Sequence, residues 1–169
     1  MNDEDEVLDI VDENDIVVGK KTRTEIYNLG LRNFRVVNAF LVNSKGEVWI
    51  LRRSPNEDMF PRGIDLSVGG HVSSGESYEE ALKREAKEEL DIDVDKTKCS
   101  LIAYLSPYTD GASAFTKLYS LESDVTPVIN PDEFIDGFWI YPDVLIEKVK
   151  GGEPSKGDLL KMLQLYCSR

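Results

Sequence analysis

Short apolar runs broken by polar turns fill most of the chain and predict a strand-rich fold. Residues 7–12 and 16–20 alternate as two short strands around Glu13-Asn14-Asp15. A short helix is predicted over 24–29, capped by Thr24 and stopped by Gly30. Residues 36–42 and 47–53 read as a hairpin around Asn43-Ser44-Lys45-Gly46. Further strands are predicted over 65–72, 100–105, 114–121 and 138–141, and Pro142 then opens a helix reaching Val149. Residues 156–167 predict a C-terminal helix, because Leu159, Leu160, Met162, Leu163 and Tyr166 recur at helical spacing. Elements mixed in this order predict an α/β fold, an α/β/α sandwich around a mixed β-sheet. No linker, repeat or shift in composition divides the chain. Residues 1–169 are therefore expected to form one domain, with 1–34 as an N-terminal extension packed on it.

The helix predicted over 78–90 raises a physical question. Ser77-Tyr78-Glu79-Glu80 fits a capping box, which fixes its start. Glu85, Glu88 and Glu89 then crowd three carboxylates into little more than one turn. With Glu85 at zero, Glu88 falls near roughly −60° and Glu89 near roughly +40° around the axis. The apolar Tyr78, Leu82, Ala86 and Leu90 span roughly +20° to +140° by the same count. The three carboxylates thus overlap the edge of the apolar stripe, away from the wet side that carries Glu79, Glu80, Lys83, Arg84 and Lys87. Each like-charge pair costs an isolated helix about 0.2–0.5 kcal/mol, and partial burial adds to it. The cluster is either a solvated acidic face or an oxygen-only site suited to Mg²⁺ or Mn²⁺. The preceding loop favours the second reading. Gly69-Gly70 lets backbone approach a ligand closely and offers carbonyl oxygens, and Gly75 permits a tight turn back onto the helix start.

Composition narrows the possible partners. The 41% hydrophobic and 31% charged content is that of an ordinary globular protein. No apolar run approaches the roughly 20 residues needed to cross a bilayer. The opening MNDEDEVLDI lacks the basic and apolar regions of a signal peptide, so a cytoplasmic location is expected. A net charge of −12 disfavours nucleic acid and anionic membranes as partners. An anionic small molecule would need local arginines or a bound cation to reach such a chain. Cys99 and Cys167 lack metal-type spacing and are expected to be free thiols. His71 is the single histidine, which argues against a zinc site of the usual Cys/His type.

Gly70, Glu76 and the run Arg84-Glu85-Ala86-Lys87-Glu88-Glu89-Leu90-Asp91-Ile92 resemble the Nudix box, G-x5-E-x7-R-E-U-x-E-E-x-G-U, with U a bulky apolar residue. The box spans residues 69–92, and the resemblance as a whole runs from Val7 to about Val144. Ala86 is small for the first apolar position, and Asp91 stands where the family has glycine. That helix-terminal position often needs a left-handed backbone, which Asp tolerates better than most residues, at a modest cost in stability. The segments VLDIVDENDIVVGKKTRTEI, NAFLVNSKGEVWILRRS and DLSVGGHVSSGESYEEA extend the likeness. Together they resemble the Nudix branch that includes isopentenyl-diphosphate isomerases and their hydrolase relatives. The fold implied is an α/β/α sandwich with the box as loop-helix-loop.

Within that branch, individual residues favour hydrolysis over isomerisation. The isomerases carry a cysteine in S-V-C-G-H, whereas this chain reads Ser67-Val68-Gly69-Gly70-His71. Of their several metal-binding histidines only His71 remains, and their later-strand glutamate falls at Ala114. Protonating an alkene needs a positioned acid, which these positions lack. The resemblance implies instead a Mg²⁺- or Mn²⁺-dependent hydrolase acting on a nucleoside diphosphate linked to a group X, such as a nucleoside di- or triphosphate or a nucleotide sugar. Glu85, Glu88 and Glu89 would bind the metal, with the Gly70 carbonyl as a further ligand. Glu89, Asp132 or Glu133 would activate water. Arg84 would hold a glutamate, or else pair with Glu80 or Glu88 along the helix. Arg52, Arg53, Arg35 and Arg23 are the candidate phosphate cations, and strand alternation sends Arg52 and Arg53 to opposite faces. His71 either touches the leaving phosphate or is an ordinary strand residue. Phe60, Trp49 and Phe115 either stack on a base or belong to the core. The alternative is a catalytically silent Nudix module that binds a nucleotide or a partner. The extension before Arg35 would either cover the domain edge or build a homodimer.

Overall fold

The first two alternating segments pair with each other, apart from the main sheet. In the computed structural model, which describes residues 6–169, β1 (Val7–Val11) and β2 (Val17–Thr22) form an antiparallel hairpin. Its inner face buries Leu8 and Ile10 against Ile26, Phe34 and Ala114. α1 (Arg23–Asn28) follows, and its N-cap is Thr22, where the sequence pointed to Thr24. The Thr22 hydroxyl accepts from the Glu25 N–H at 3.2 Å, and the Glu25 carboxylate accepts from the Thr22 N–H at 2.8 Å. Thr22 has a glutamate three residues on, while Thr24 has Tyr27 there, so the reciprocal cap selects the earlier threonine.

The main sheet contains β3 (Arg35–Val42), β4 (Val48–Arg53), β5 (Ile64–Asp65), β6 (Val68–His71), β7 (Lys98–Leu105), β8 (Phe115–Glu122) and β9 (Phe134–Ile140). Its order is β5-β4-β3-β8-β7, with β6 beside β3 and β9 beside β4. β3 and β8 run parallel and the other pairs antiparallel, so the sheet is mixed. β3 and β4 splay apart straight after their turn, pairing only at Val42 and Val48. β6 takes the edge of β3 that this frees, with Val37 opposite Gly70 and Asn38 opposite Gly69. The Ser67 hydroxyl ties the fork together, accepting from the Leu41 N–H at 2.7 Å and donating to the Trp49 carbonyl. The single strand expected over 65–72 is therefore two strands, because one segment serves β4 and then crosses to β3. β9 begins at Phe134, four residues before the strand expected at 138. A Cβ on Gly137 would lie 2.4 Å from Trp49 Cζ2, so glycine lets β9 pass close over the indole.

Alternation along β3 divides the core. Val37, Ala39 and Leu41 meet Leu82, Ala86 and Leu90 of α2 (Tyr78–Leu90) on one face. Phe40 and Val42 face the other side. There Leu145 of α3 (Pro142–Lys150) and Leu159, Met162 and Leu163 of α4 (Leu159–Cys167) cover the sheet. The result is an α/β/α sandwich. α4 starts three residues later than the expected 156, leaving Lys156 in the segment that leads into it. Trp49 and Phe115 are buried in the core, whereas Phe60 is 40% exposed. α2 opens on the Ser77–Glu80 capping box and closes on Asp91, which is left-handed at φ 55°. Cys99 and Cys167 are free. No helix among the described residues is long and apolar enough to cross a membrane.

Candidate active site

Two consecutive glycines on β6 open onto opposite faces of the sheet. A Cβ on Gly70 would lie 2.2 Å from Glu85 Cδ, so the Glu85 side chain occupies the space that any other residue would fill. A Cβ on Gly69 would point the other way, 3.2 Å from Asn38 Oδ1 and 3.4 Å from Lys156 Nζ. The Gly69 N–H itself donates to Glu89 Oε2 at 3.1 Å. Gly70 thus makes room for the Glu85 side chain, while the Gly69 backbone N–H anchors Glu89.

Arg84 braces this arrangement. Its guanidinium grips both Glu76 oxygens at 2.9 Å, donates to Glu85 Oε1 at 2.7 Å and to the His71 carbonyl at 3.0 Å. It ties the loop before α2, the end of β6 and the helix together, and it lies 3.7 Å from Glu88. Burial raises the Glu85 pKa to about 7 against the pull of Arg84, with repulsion from Glu88 and Glu6 adding to it. Burial also pushes Glu89 well above the usual carboxylate range, reinforced by the charge of Glu85. The Glu88 side chain stays 61% exposed. Among the described residues no three acidic, histidine or cysteine side chains already converge as a metal cage. Arg84 draws Glu85 aside, Gly69 holds Glu89, and Glu88 points outward. In chemistry the donor set fits Mg²⁺ or Mn²⁺: hard oxygens only, two of them reluctant to ionise until a positive charge arrives.

These side chains lie at one wall of a cleft of about 950 Å³. Gly70, His71, Arg53 and Glu133 line it with the three glutamates, and so does Arg23. Asp132, Arg35 and Arg52 do not. Arg35, at the start of β3, is captured by Asp15 of the N-terminal hairpin at 2.6 Å and stacks over Tyr78. Arg52 points to the other side of β4, where it meets Glu153 at 2.8 Å. Arg53 faces the cleft, held by Asp65 at 2.8 Å and Glu57 at 2.9 Å. His71 Nε2 lies 2.9 Å from the Tyr27 hydroxyl. Burial, followed by the charges of Arg23, Lys156 and Arg84, lowers its pKa to about 3 and keeps the ring neutral. Lys156, Asn38, Asp158, Glu6 and Tyr27 also line the cleft and were not singled out from sequence. Lys156 was hidden inside the expected C-terminal helix. Asn38 sat in an apolar strand run, where a lone polar residue at a core position was the available signal.

Residues 32–163 match the NUDIX domain family, and the chain belongs to the Nudix hydrolases. An uncharacterised Nudix hydrolase of Nostoc sp. strain PCC 7120 is similar, 52% identical over 161 residues and covering 95% of each chain. The crystal structure of DR0079 from Deinococcus radiodurans matches with a TM-score of 0.89 at 46% identity, over 97% of this chain and 100% of that one. The isopentenyl-diphosphate Delta-isomerase of Paenarthrobacter aurescens is a more distant relative, 26% identical over 155 residues, 86% of this chain and 81% of its own.

Proposed function

We propose that this chain is a divalent-metal-dependent pyrophosphohydrolase of cytoplasmic nucleoside diphosphates linked to a group X. One observation carries the reading: Glu85 and Glu89 are pressed against the Gly69-Gly70 backbone with raised pKa values, a cost that a bound cation removes. Glu85, Glu88, Glu89 and the Gly70 carbonyl would hold Mg²⁺ or Mn²⁺. When bound, such an ion neutralises phosphate charge and acidifies a coordinated water. Arg84 keeps Glu85 and the preceding loop in register through its fork on Glu76. Arg53 and Lys156 supply positive charge for the diphosphate on a chain of net charge −12. Glu89, or Glu133 elsewhere on the cleft lining, accepts the proton of the attacking water. His71 is neutral near pH 7 and serves as wall and hydrogen-bond partner of Tyr27. Residues 1–169 act as one unit, with the 1–34 extension contributing Glu6, Arg23 and Tyr27 to the cleft. Gly69 and the fully buried Ala114 replace the acidic groups that isomerisation requires.

The test is product release from nucleoside di- and triphosphates, nucleotide sugars, dinucleotides and isopentenyl diphosphate, with Mg²⁺, Mn²⁺ or EDTA. Metal-dependent cleavage of one nucleotide class is expected, with isopentenyl diphosphate returned unchanged. Mn²⁺ binding without any turnover would favour a silent nucleotide-binding module. Formation of the allylic isomer would overturn the reading in favour of isomerisation.

A further inference from the structure

The loop that carries Glu76 is held from outside by the N-terminal hairpin. Residues 73–76 form a tight turn, closed by the Glu76 N–H on the Ser73 carbonyl at 3.0 Å. Its two central residues, Ser74 and Gly75, are exposed, and a Cβ on Gly75, at φ 82°, would meet nothing within 4 Å among the described residues. Packing does not hold these two residues, so directed hydrogen bonds must. Asp9 of β1 supplies two of them. Its Oδ1 accepts from the Ser74 hydroxyl at 2.7 Å and its Oδ2 from the Gly75 N–H at 3.1 Å. The Val7 carbonyl accepts from the Ser74 N–H at 2.8 Å, and Glu6 accepts from the Ser73 hydroxyl at 2.8 Å. Bonds to an ionised carboxylate are the stronger kind, and Asp9 commits both oxygens to neighbouring residues of one turn.

The hairpin is itself fixed at its far end. Asp15, in the turn between β1 and β2, accepts from Arg35 Nε at 2.6 Å and from the hydroxyls of Tyr78 at 2.8 Å and Tyr104 at 2.7 Å. The starts of β3 and α2, together with β7, thus hold the tip, and Asp9 is presented from a braced arm. On its other side the turn meets α2. Glu76 Oε2 accepts from the Ser73 N–H at 2.9 Å, and both Glu76 oxygens accept from Arg84, whose Nη1 reaches Glu85 at 2.7 Å. A continuous path of hydrogen bonds and one turn of backbone therefore joins Asp9 to Glu85. When the turn shifts, Glu76 shifts with it, the Arg84 fork follows its carboxylate, and Glu85 loses its partner. We propose that Asp9 is a positioning residue: it fixes the turn, and through Glu76 the Arg84 fork that sets Glu85 for the metal. The inference rests on the metal-dependent reading of the α2 glutamates and deepens it, placing part of the site's support in the N-terminal extension.

Two readouts on the full chain test this without requiring turnover. In EDTA, the Arg84 Nε–H resonance reports the fork on Glu76 by NMR. In Asp9→Ala its exchange with water should quicken by about 10-fold or more, the change expected when a hydrogen bond to a charged group opens. Mn²⁺ binding, followed by electron paramagnetic resonance, should weaken about 10-fold in the same variant, as for other groups that hold metal ligands in place. Asp9→Asn keeps both contacts, its amide donating to Ser74 Oγ and its Oδ1 accepting from Gly75, and should return both readouts to within about 2-fold of wild type. Adding Asp9→Ala to Glu76→Ala should change Mn²⁺ affinity by less than about 2-fold, because the path is already cut. Should Asp9→Ala fail to fold, Ser74→Ala at its exposed site is read instead and should weaken Mn²⁺ by about 3-fold or more. Unchanged Arg84 exchange, unchanged Mn²⁺ affinity, full additivity with Glu76→Ala, or an asparagine variant as weak as the alanine one overturns the inference. A wild type that binds no Mn²⁺, while Arg84 exchange still responds to Asp9, would refute the metal-dependent reading and leave the path from Asp9 to Arg84 standing.

Discussion

Glu85 is expensive to keep ionised without a cation, and Glu85→Gln isolates that expense. Its pKa rises from the model-compound 4.5 to about 7 in the folded chain, and its side chain is 12% exposed. A difference of roughly 2.5 units corresponds to about 3 kcal/mol. The folded-state pKa lies above the unfolded one, so the folded protein binds the extra proton between these values. The contribution is fully present below 4.5 and is lost as the pH rises through about 7. Glutamine carries no such proton and escapes the loss, while the titration of His71 is common to both proteins and cancels. In EDTA, the stability of Glu85→Gln relative to wild type should therefore improve by about 3 kcal/mol between about pH 4 and pH 8. For a chain of this length that is a relative shift of about 6–12 °C in Tm. Thermal and urea unfolding across that pH range would measure it. A difference between the two proteins that stays constant with pH would refute the account of Glu85 as a buried, strained carboxylate.

Three further outcomes follow from particular contacts. Gly70→Ala places a Cβ 2.2 Å from Glu85 Cδ and must expel that carboxylate; Mn²⁺ affinity should fall while the chain still folds, at a cost of about 1–3 kcal/mol in urea unfolding. Unchanged Mn²⁺ affinity would separate Glu85 from the metal. His71 has a folded-state pKa of about 3 against an ordinary 6.5, so the unfolded chain binds the extra proton between them and wild-type stability falls as pH drops through that window. His71→Phe should remove on the order of 5 kcal/mol of this acid sensitivity, and an unaltered pH profile would contradict a buried neutral ring. Asp91→Gly relieves a left-handed residue at φ 55° and should leave stability unchanged or raise it by about 1 kcal/mol; a clear loss in unfolding experiments would contradict that cap.

Much of the layout was legible because it depends on local rules. The Ser77–Glu80 cap, the α2 stripe and the left-handed Asp91 are all set within a few residues of one another. The carboxylate cluster could be noticed because crowded charge on a helix edge needs a reason. What escaped sequence reading depends on long-range geometry. The β3–β4 fork divides residues 65–72 between two partners, and no local pattern announces it. The close pass of Gly137 over Trp49 is a tertiary contact that no local pattern announces. Arg35 and Arg52 were plausible phosphate cations by charge alone, but Asp15 and Glu153 claim them. Lys156 lies more than sixty residues beyond α2 and comes to Gly69 only through the packing of the segment before α4.

The most direct test of the central claim is a Mn²⁺ titration that follows metal binding by electron paramagnetic resonance and turnover in the same samples, for wild type and Glu88→Gln. The 61% exposed Glu88 makes the substitution harmless to folding. In wild type, nucleotide cleavage should rise with Mn²⁺ occupancy and vanish in EDTA. Glu88→Gln should fold normally yet lose at least about 100-fold in turnover. Cleavage that persists in EDTA, or a Glu88→Gln protein that keeps near-wild-type turnover, would contradict the assignment of the α2 glutamates.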